Sequence, residues 1–372
     1  MSKNNTAYKF RIYPNEEQKI MIAKTFGCCR FIYNSMLADK IEEYEKNNRM
    51  LKITPAGYKK ANPWLEEVDS LALCNEGLHL DIAFKNFFDR KDMGFPRFKS
   101  KHCSRQSYTT NMVNNNIKLH GNRLTLPKIK NIRIVIHREL PADGYRLKSV
   151  TVSRESSGDY YASILYEYES CENQAEHIDA EHAEVLGIDY AMHGLAVLSD
   201  GTECDYPGFY RQQEARLKRE QRRLSQCMKG SKNYKKQKIR VARCHRRIKN
   251  QRKDYLHKLS RKIADTYDAV AVEDIDMKAM SQCLNFGKSV MDNGYGMFCA
   301  MLKYKLERQN KRLIVIDRFF PSSKKCSCCG SIKSNLLLSD RVYECECGNR
   351  MNRDYNAALN IRDEGKRIIA CA

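Results

Sequence analysis

The chain has 372 residues, with 66 Lys and Arg against 45 Asp and Glu for a formal net charge of +21. This length suffices for two or three domains, and so large a basic excess favours nucleic acid as partner over a membrane surface. No stretch approaches the roughly 20 apolar residues of a membrane-spanning helix. The N-terminus lacks a signal-peptide pattern. The 16 cysteines therefore predict reduced thiols and a metal site in a cytoplasmic protein.

The first hundred residues predict a mainly helical unit preceded by a short strand. Alternation of side chains over residues 8–13 predicts the strand. Asn15 with Gln18 three residues later has the pattern of a capping box. Apolar residues then recur at three- and four-residue spacing, which predicts a helix that ends at residues 47–48. A second helix is predicted over residues 71–89.

Residues 94–108 interleave aromatic side chains with basic ones. Arg97, Lys99 and Lys101 lie in this segment. Such a mixture suits contacts to backbone phosphates and stacked bases. A solvated basic loop is the alternative interpretation.

Short antiparallel strands are predicted next. The pattern predicts a hairpin over residues 117–126, a strand over 132–136, and a hairpin made of 147–153 and 160–168. Together with the first strand, these segments could close a small β-barrel. The acidic, aperiodic residues 171–184 predict a linker.

Two buried strands are each followed by a carboxylate. Asp189 follows the apolar residues 186–188, and Glu273 follows the apolar residues 269–272. A carboxylate at the end of an apolar strand is costly unless it binds something. A turn residue is the alternative for Asp189. Residues 313–316 predict a further core strand.

Residues 211–262 predict a long basic helical hairpin with its break at Gly230 and Ser231. This segment has 21 Lys and Arg against three acids. One interpretation is a solvated coiled-coil hairpin. Mutual repulsion of so many positive charges favours contact with nucleic acid instead. The candidate contacts are Arg240, Arg243, Arg246 and Arg247.

Two cysteine pairs near the C-terminus have the spacing of a zinc site. The candidate ligands are Cys326, Cys329, Cys345 and Cys347. A glycine after each pair lets the backbone turn toward the sulfurs, and four thiolates predict a closed, structural Zn²⁺ site. The second pair is one residue shorter than the first, and Cys328 is a spare thiol. Cysteines without a metal are the alternative.

Asp354 lies near the start of a predicted closing helix. By itself it has the pattern of a helix cap. Asp189, Glu273 and Asp354, in this order on two strands and a helix, are similar to the acids of RNase H and RuvC nucleases. Carboxylate oxygens suit Mg²⁺, and two such ions about 4 Å apart can activate water and stabilise a leaving oxygen. Three clustered acids without cations would repel each other.

Seven stretches, in order and spanning nearly the whole chain, resemble the TnpB family of insertion-sequence proteins, which are relatives of type V CRISPR nucleases. They are FRIYPNEEQ, FPRFKSK, LGIDYAMHGLAVLSDG, VAVEDIDMKAM, DNGYGMFCAMLKYKLE, RFFPSSKKCSCCG and CECGNRMNRDYNAALNI.

The resemblance implies an α+β multidomain fold. A helical recognition domain and a small wedge-like β-barrel would precede an RNase H-like (RuvC) α/β domain with an inserted zinc finger. The implied ranges are 1–13 and 94–170 for the wedge, 14–93 for the recognition domain, 171–184 for the linker, 185–322 and 351–372 for the RuvC domain with the hairpin 211–262 inserted, and 323–350 for the zinc finger.

The implied activity is RNA-guided, Mg²⁺-dependent cleavage of double-stranded DNA next to a short transposon-associated motif. Asp189, Glu273 and Asp354 would be the catalytic acids and would hold two Mg²⁺ ions, and the four cysteines would hold Zn²⁺. Guide RNA and target DNA are the expected partners, near the nucleoid of a prokaryotic cell. Asn352 departs from the Asp that the family usually has there, which leaves the three acids intact but makes the site slightly less acidic.

Two other functions stay open at this point. One is a guide-RNA-dependent DNA-binding repressor, whose usual mark, the loss of a catalytic acid, is absent. The other is a transposase or its accessory protein, although no HUH motif or tyrosine nucleophile signature is present. The sequence leaves the guide RNA, the DNA motif and the oligomeric state open, with a monomer in the RNA complex as the working expectation.

Overall fold

The computed structural model describes residues 2–101, 106–141, 144–170, 182–192, 194–282, 287–337 and 340–371. The chain forms two compact units, Met1–Glu172 and Asn173–Ala372. The predicted linker falls mostly outside the described residues, as do residues 102–105 of the basic segment. Each unit has its own core and is described separately.

The first unit contains a seven-stranded antiparallel sheet. Its strands are β1 (Ser2–Tyr13), β2 (Gln106–Asn111), β3 (Lys118–His120), β4 (Arg123–Leu126), β5 (Ile129–Val135), β6 (Tyr145–Arg154) and β7 (Tyr160–Ser170). The order across the sheet is β2-β6-β7-β1-β5-β4-β3. Both predicted hairpins are confirmed, and β1 begins earlier than predicted because it pairs with β7 over nearly its full length. Within the described residues the end strands β2 and β3 do not pair, so the sheet is open and the predicted closed barrel is not formed by hydrogen bonding.

Two long helices pack on this sheet. They are α1 (Glu16–Asn47) and α2 (Ser70–Asp89), as the periodicity predicts. The capping box is confirmed, since Asn15 Oδ1 accepts from the Gln18 amide at 2.8 Å and Gln18 Oε1 accepts from the Asn15 amide at 2.9 Å. Helix and sheet side chains form one shared core. The ranges predicted for the recognition domain and the wedge therefore lie in a single compact unit.

The second unit is built on a four-stranded sheet in the order β11-β10-β8-β9. Its strands are β8 (Val185–Ala191), β9 (Leu195–Leu198), β10 (Ala269–Glu273) and β11 (Arg312–Ile316). Strands β8, β10 and β11 are parallel, and β9 returns antiparallel along β8. The short strands β12 (Val342–Glu344) and β13 (Arg350–Asn352) form a separate ribbon.

Helices cover both faces of this sheet. They are α3 (Phe209–Ser225), α4 (Lys232–Thr266), α5 (Met277–Gln282), α6 (Gly287–Asn293), α7 (Tyr295–Glu307) and α8 (Arg353–Ala370). Even-numbered core residues of β8 and β10, such as Ile188 and Val272, pack with α4 and α7. Odd-numbered residues, such as Ala271, pack with α8. The basic hairpin α3–α4 and the break before Lys232 agree with the sequence prediction.

The contact between α8 and the sheet requires a glycine. A Cβ on Gly187 would lie 2.1 Å from the Ala358 carbonyl oxygen and 2.5 Å from the Arg362 amide nitrogen. Both neighbours are backbone atoms, so no rotamer change can relieve the clash. Gly187 therefore lets the N-terminal half of α8 lie directly on β8.

Gly187→Ala is expected to destabilise the second unit by about 3 kcal/mol or more, because overpacking against a helix backbone must displace α8. Gly296→Ala is the matched control, since a Cβ there meets only Met277 Cγ at 4.0 Å and alanine favours a helix by up to about 1 kcal/mol. Chemical denaturation of both variants measures the difference. Equal stability of the two would contradict the close packing of α8.

Candidate active site

The parallel register brings two acids side by side. Ile188 of β8 pairs with Val272 of β10, and the next residues along the two strands are Asp189 and Glu273. Neighbouring strands lie about 4.8 Å apart, and paired residues point to the same face. That face is the one covered by α8. Glu273 ends its strand as predicted. Asp189 instead lies inside β8, where it is opposite Val197 of β9, because the pairing of the two strands continues to Ala191.

Helix α8 contributes the third acid. Asp354 is its second residue, and the side chain of Asn352 caps the helix by accepting from the Asp354 amide at 2.8 Å. Ala358, one turn later, lies on Gly187, two residues before Asp189 in β8. Asp354 therefore lies toward the Asp189 end of β8. The capping role that the pattern gave to Asp354 belongs to Asn352.

The charges of Glu273 and Asp354 act on the buried Asp189. Burial, followed by the charges of Glu273 and Asp354, raises the pKa of Asp189 well above its usual range. Burial likewise raises the pKa of Glu273, against a lowering contribution from a hydrogen bond with Ser322. A buried carboxylate whose charge is destabilised by two neighbouring acids is an arrangement that favours cation binding.

Two neighbours of the acids were not singled out in the sequence. The buried Ser322 hydroxyl donates to Glu273. The Arg353 guanidinium lies 3.3 Å from Asp354 Oδ1, and its charge lowers the pKa of Asp189. Arg353 directly precedes Asp354 in the chain, and this position is the signal by which the sequence could have indicated it.

In metal-free protein, the raised pKa of Asp189 predicts a pH dependence of stability. Above pH 3.8, the ordinary pKa of an Asp, the Asp189 carboxyl stays protonated in the folded state but is ionised in the unfolded chain. Folding stability therefore falls as the pH rises toward the raised pKa. Asp189→Asn has no such proton to lose. Its stability advantage over wild type should therefore grow with pH over this window, by about 1.4 kcal/mol per unit of pKa shift. Denaturant titrations with chelator at several pH values measure it, and a pH-independent difference would contradict the prediction.

The four predicted cysteines converge. Their sulfurs all lie within 4.8 Å of one another, and in the described part of the chain no other group of three or more potential ligands converges this closely, the three carboxylates included. Sγ–Sγ distances are 3.7 Å for Cys326–Cys347 and 3.6 Å for Cys329–Cys345. A tetrahedral Zn²⁺ with sulfurs at about 2.3 Å needs about 3.8 Å between sulfurs. The cluster could therefore hold zinc.

The backbone of each cysteine pair turns as the sequence predicts. Gly330 and Gly348 adopt left-handed φ angles of 77° and 88°, and their amides donate to the carbonyls of Cys326 and Cys345 at 3.0 Å. Although burial raises it, hydrogen bonds from the Cys329 backbone and from Asn349 lower the pKa of Cys326 to about 6. The thiolate form that a metal requires is thus favoured at Cys326.

Two asparagines connect the cysteine cluster to α8. Asn356 Nδ2 donates to the Lys325 carbonyl at 2.8 Å, and its Oδ1 accepts from the Ser327 amide at 3.0 Å. Asn360 Nδ2 donates to the carbonyls of Ser322 and Lys325 at 2.8 and 2.7 Å. Because Ser322 contacts Glu273, the same loop touches both the cysteine cluster and the acids.

A second junction joins the basic hairpin to β8. Buried Asp292 accepts from the Tyr210 amide at 2.9 Å, at the start of α3, and lies 3.6 Å from the Arg252 guanidinium of α4. Asn293 donates to the Tyr190 hydroxyl at 3.1 Å and to the Met192 carbonyl at 3.3 Å. Asp292 and Asn293 thus tie the hairpin to the strand that carries Asp189.

The predicted nucleic-acid contacts occupy different settings. Arg97 and Lys101 are exposed. Lys99 is half-buried, pairs with Glu76 and lies 4.0 Å from the centre of the Tyr33 ring. Lys99 therefore has a structural partner, whereas Arg97 and Lys101 face solvent. The four arginines of α4 line one groove of the hairpin.

None of the helices in the described residues is long and apolar enough to cross a membrane.

A family model described as a probable transposase, OrfB of the IS605 type, matches residues 164–284. A model of the Cas12f1-like TNB domain matches residues 295–361, and a helix-turn-helix model matches residues 1–49.

Relatives match along the whole chain. A Streptomyces pristinaespiralis protein, named a candidate RNA-guided DNA endonuclease, is 35% identical over 100% of this chain and 92% of its own length. The Escherichia coli K12 protein InsQ, with a name of the same kind, is 30% identical over 99% of this chain and 94% of its own length. A solved Cas12f1–sgRNA–target DNA complex superposes with a TM-score of 0.60 at 14% identity, covering 97% of this chain and 99% of that chain.

The chain has the mixed α and β fold of the solved Cas12f1 chain and a four-cysteine cluster that could bind zinc. The chain belongs to the OrfB/IS605 family, the TnpB family.

Proposed function

We propose that the protein is an RNA-guided DNA endonuclease that hydrolyses both strands of target DNA at a RuvC-type centre. The observation that carries the proposal is that Glu273 and Asp354 lie near enough to the buried Asp189 for their charges to raise its pKa. Asp189 and Glu273 are neighbours through the strand register, and α8 brings Asp354 toward them. The names of the two full-length relatives agree with this activity.

The three acids suit Mg²⁺. They offer hard oxygen ligands, and the pKa of Asp189 is raised by burial and by the two other charges, an unfavourable state that a divalent cation would relieve. Asp189, Glu273 and Asp354 would hold two Mg²⁺ ions, which supply activation of water and stabilisation of the leaving oxygen at a phosphodiester. Ser322 would orient Glu273, and Arg353 would keep Asp354 in place.

Guide RNA would select the target by base pairing, while the protein binds the backbone and reads a short transposon-associated motif. The +21 charge supports this division of labour. In the same proposal, residues 14–93 act as the recognition domain and 1–13 with 94–170 as the wedge. The exposed Arg97 and Lys101 would contact nucleic acid there. The protein would act as a monomer on one guide RNA, at the nucleoid.

A plasmid-cleavage assay with RNA co-purified from the native host tests the proposal. The expected result is double-strand cleavage that requires the RNA, Mg²⁺ and a matching target, and that Asp189→Ala removes. Guide-dependent binding by the wild-type protein without cleavage would support a repressor instead. Strand joining without guide RNA would support a transposase.

A further inference from the structure

One phenylalanine near the acids contributes almost nothing to the protein core. Phe319 is 88% exposed, the largest exposed fraction of any large apolar residue in the described part of the chain. Single exposed apolar side chains are common on protein surfaces and by themselves need no explanation. The position of Phe319 and the contacts that hold its loop therefore decide what the ring does.

Phe319 lies on the loop that connects β11 to the cysteine cluster. Ile316, the last residue of β11, is the register partner of Glu273 in the parallel strand β10, so the loop leaves the sheet at the edge where Glu273 lies. At the end of the loop, the Ser322 hydroxyl donates to Glu273. Phe319 is three residues from each of these anchors, and three Cα–Cα steps span at most about 11 Å. The ring is therefore within reach of a nucleotide whose phosphate lies at Glu273.

The backbone on both sides of the ring is held in place. The Phe319 amide donates to Asp317 Oδ1 at 2.7 Å, and the Phe320 amide donates to the Asp317 carbonyl at 3.1 Å. The Arg318 guanidinium lies 2.7 Å from Asp274 Oδ2, on the residue that directly follows β10. Because these contacts fix the loop, a ligand that binds the ring orders little additional chain, which favours affinity.

The surroundings of the ring favour nucleic acid over a protein partner. A Phe side chain buries roughly 150–250 Å², whereas a specific protein interface buries about 800 Å² on each partner. Basic groups lie close to the ring in the chain: Arg318 precedes it, and Lys325 Nζ lies 5.4 Å from the centre of the Phe320 ring. An exposed aromatic ring among basic side chains has the composition of a site where the ring stacks on a base and cations face the phosphates.

Stacking on one base accounts for a ring that is both exposed and fixed. Every base has a π-face, so the contact tolerates any sequence, as cleavage at RNA-selected targets requires. In a double helix the faces of each base are covered by neighbouring bases, so the partner of the ring is an unpaired base. The three acids suit a phosphodiester, and the strand that carries this phosphodiester supplies the nearest bases.

We propose that Phe319 stacks on an unpaired base of the DNA strand being cut, close to the phosphodiester at the three acids, and so positions that phosphodiester for hydrolysis. The inference rests on the proposed nuclease function for the identity of the strand. It makes Phe319 a substrate-binding residue whose role is separate from metal binding by the acids. The group that it recognises is a base and not a phosphate.

The test uses full-length protein with RNA co-purified from the native host. The variants are Phe319→Ala, which removes the ring, and Phe319→Trp, which keeps an aromatic face. Val315→Ala is the matched control, because it shortens an exposed apolar side chain on β11, the strand that leads into the loop. Single-turnover cleavage is measured on a matched target and on a series of targets in which one abasic nucleotide is moved across the cut site.

We expect Phe319→Ala to cleave the intact target about tenfold more slowly than wild type, which is the effect of losing one contact between a base and an aromatic ring. Phe319→Trp and Val315→Ala should cleave at the wild-type rate. Wild type should lose a similar factor when the abasic nucleotide occupies one particular position, and Phe319→Ala should lose nothing further there. That non-additivity identifies the two partners of one contact, which a merely structural role of Phe319 does not produce.

A crosslinking experiment separates this inference from the proposed function. The protein–RNA complex is bound, in the presence of chelator, to target strands that carry iododeoxyuridine at successive positions, so no cleavage is required. Irradiation should crosslink wild type at Phe319, and the crosslink should disappear in Phe319→Ala. If wild type crosslinks at Phe319 but does not cleave when Mg²⁺ is supplied, the stacking contact stands and the proposed nuclease activity fails alone.

Three outcomes would overturn the inference: cleavage by Phe319→Ala at the wild-type rate, an abasic nucleotide that slows Phe319→Ala as much as wild type at every position, or no crosslink at Phe319 from any position. If the wild-type protein cleaves and one of these outcomes is found, the inference fails alone. A complex that neither cleaves nor crosslinks at Phe319 contradicts both proposals.

Discussion

Asp189→Asn is expected to lower the rate of target-DNA cleavage by about three orders of magnitude or more while leaving guide-RNA binding unchanged. The substitution removes one of the two acids that the strand register places side by side. Metal stabilisation of a phosphodiester transition state supplies several kcal/mol, and each 1.4 kcal/mol is a factor of ten in rate. Glu273→Gln should have an effect of the same size, because it removes the neighbouring ligand.

The measurement is single-turnover cleavage of a matched target by the assembled RNA complex. Asp254→Asn is the control, because this acid is exposed on α4 and pairs with Lys258 of the same helix at 2.8 Å. It should cleave like wild type. A stability measurement distinguishes a loss of catalysis from a loss of folding, because Asp189→Asn should be at least as stable as wild type in metal-free buffer at neutral pH. Cleavage by Asp189→Asn at a wild-type rate would remove this acid from the active centre.

The sequence carries strong local signals for this candidate site. An apolar run followed by an acid identifies Glu273, and the Asn-Ala-Ala pattern after Asp354 marks the start of a helix. Asp189 is inside β8 and not at its end because β9 extends the pairing by two further residues. Local patterning cannot show that extension, since the partner strand decides it.

Other parts of the site depend on contacts between residues distant in the chain. Ser322 reaches Glu273 across 49 positions, and Asp292 reaches the start of α3 across 82. Nothing in the composition around Ser322 or Asp292 distinguishes them from ordinary polar residues. The open sheet of the first unit was not predictable for the same reason. Local patterns predict each strand, but the order of the strands depends on tertiary packing. The close approach at Gly187 likewise becomes visible only once α8 lies on β8.

Replacing Cys326 and Cys345 together with Ser is expected to release zinc and to unfold the segment between Ser322 and Asn352. Structural zinc sites contribute on the order of 10 kcal/mol of binding free energy, which is also folding free energy for the segment that they hold. That segment has little other support, since Tyr343 is its one fully buried large side chain in the described residues. Zinc content by mass spectrometry and limited proteolysis of the segment measure the two effects.

Cys328→Ser is the matched control, because Cys328 is exposed, lies between two proposed ligands and is absent from the converging cluster. It should keep one zinc per chain and wild-type resistance to protease. The double variant should also lose cleavage, because Asn356 and Asn360 bind the loop that presents Ser322 to Glu273. Unfolding the segment would free that loop and leave Glu273 without its donor. Full zinc content in the double variant would show that the metal is held elsewhere. Normal cleavage after zinc loss would show that the acids are positioned without the cysteine cluster.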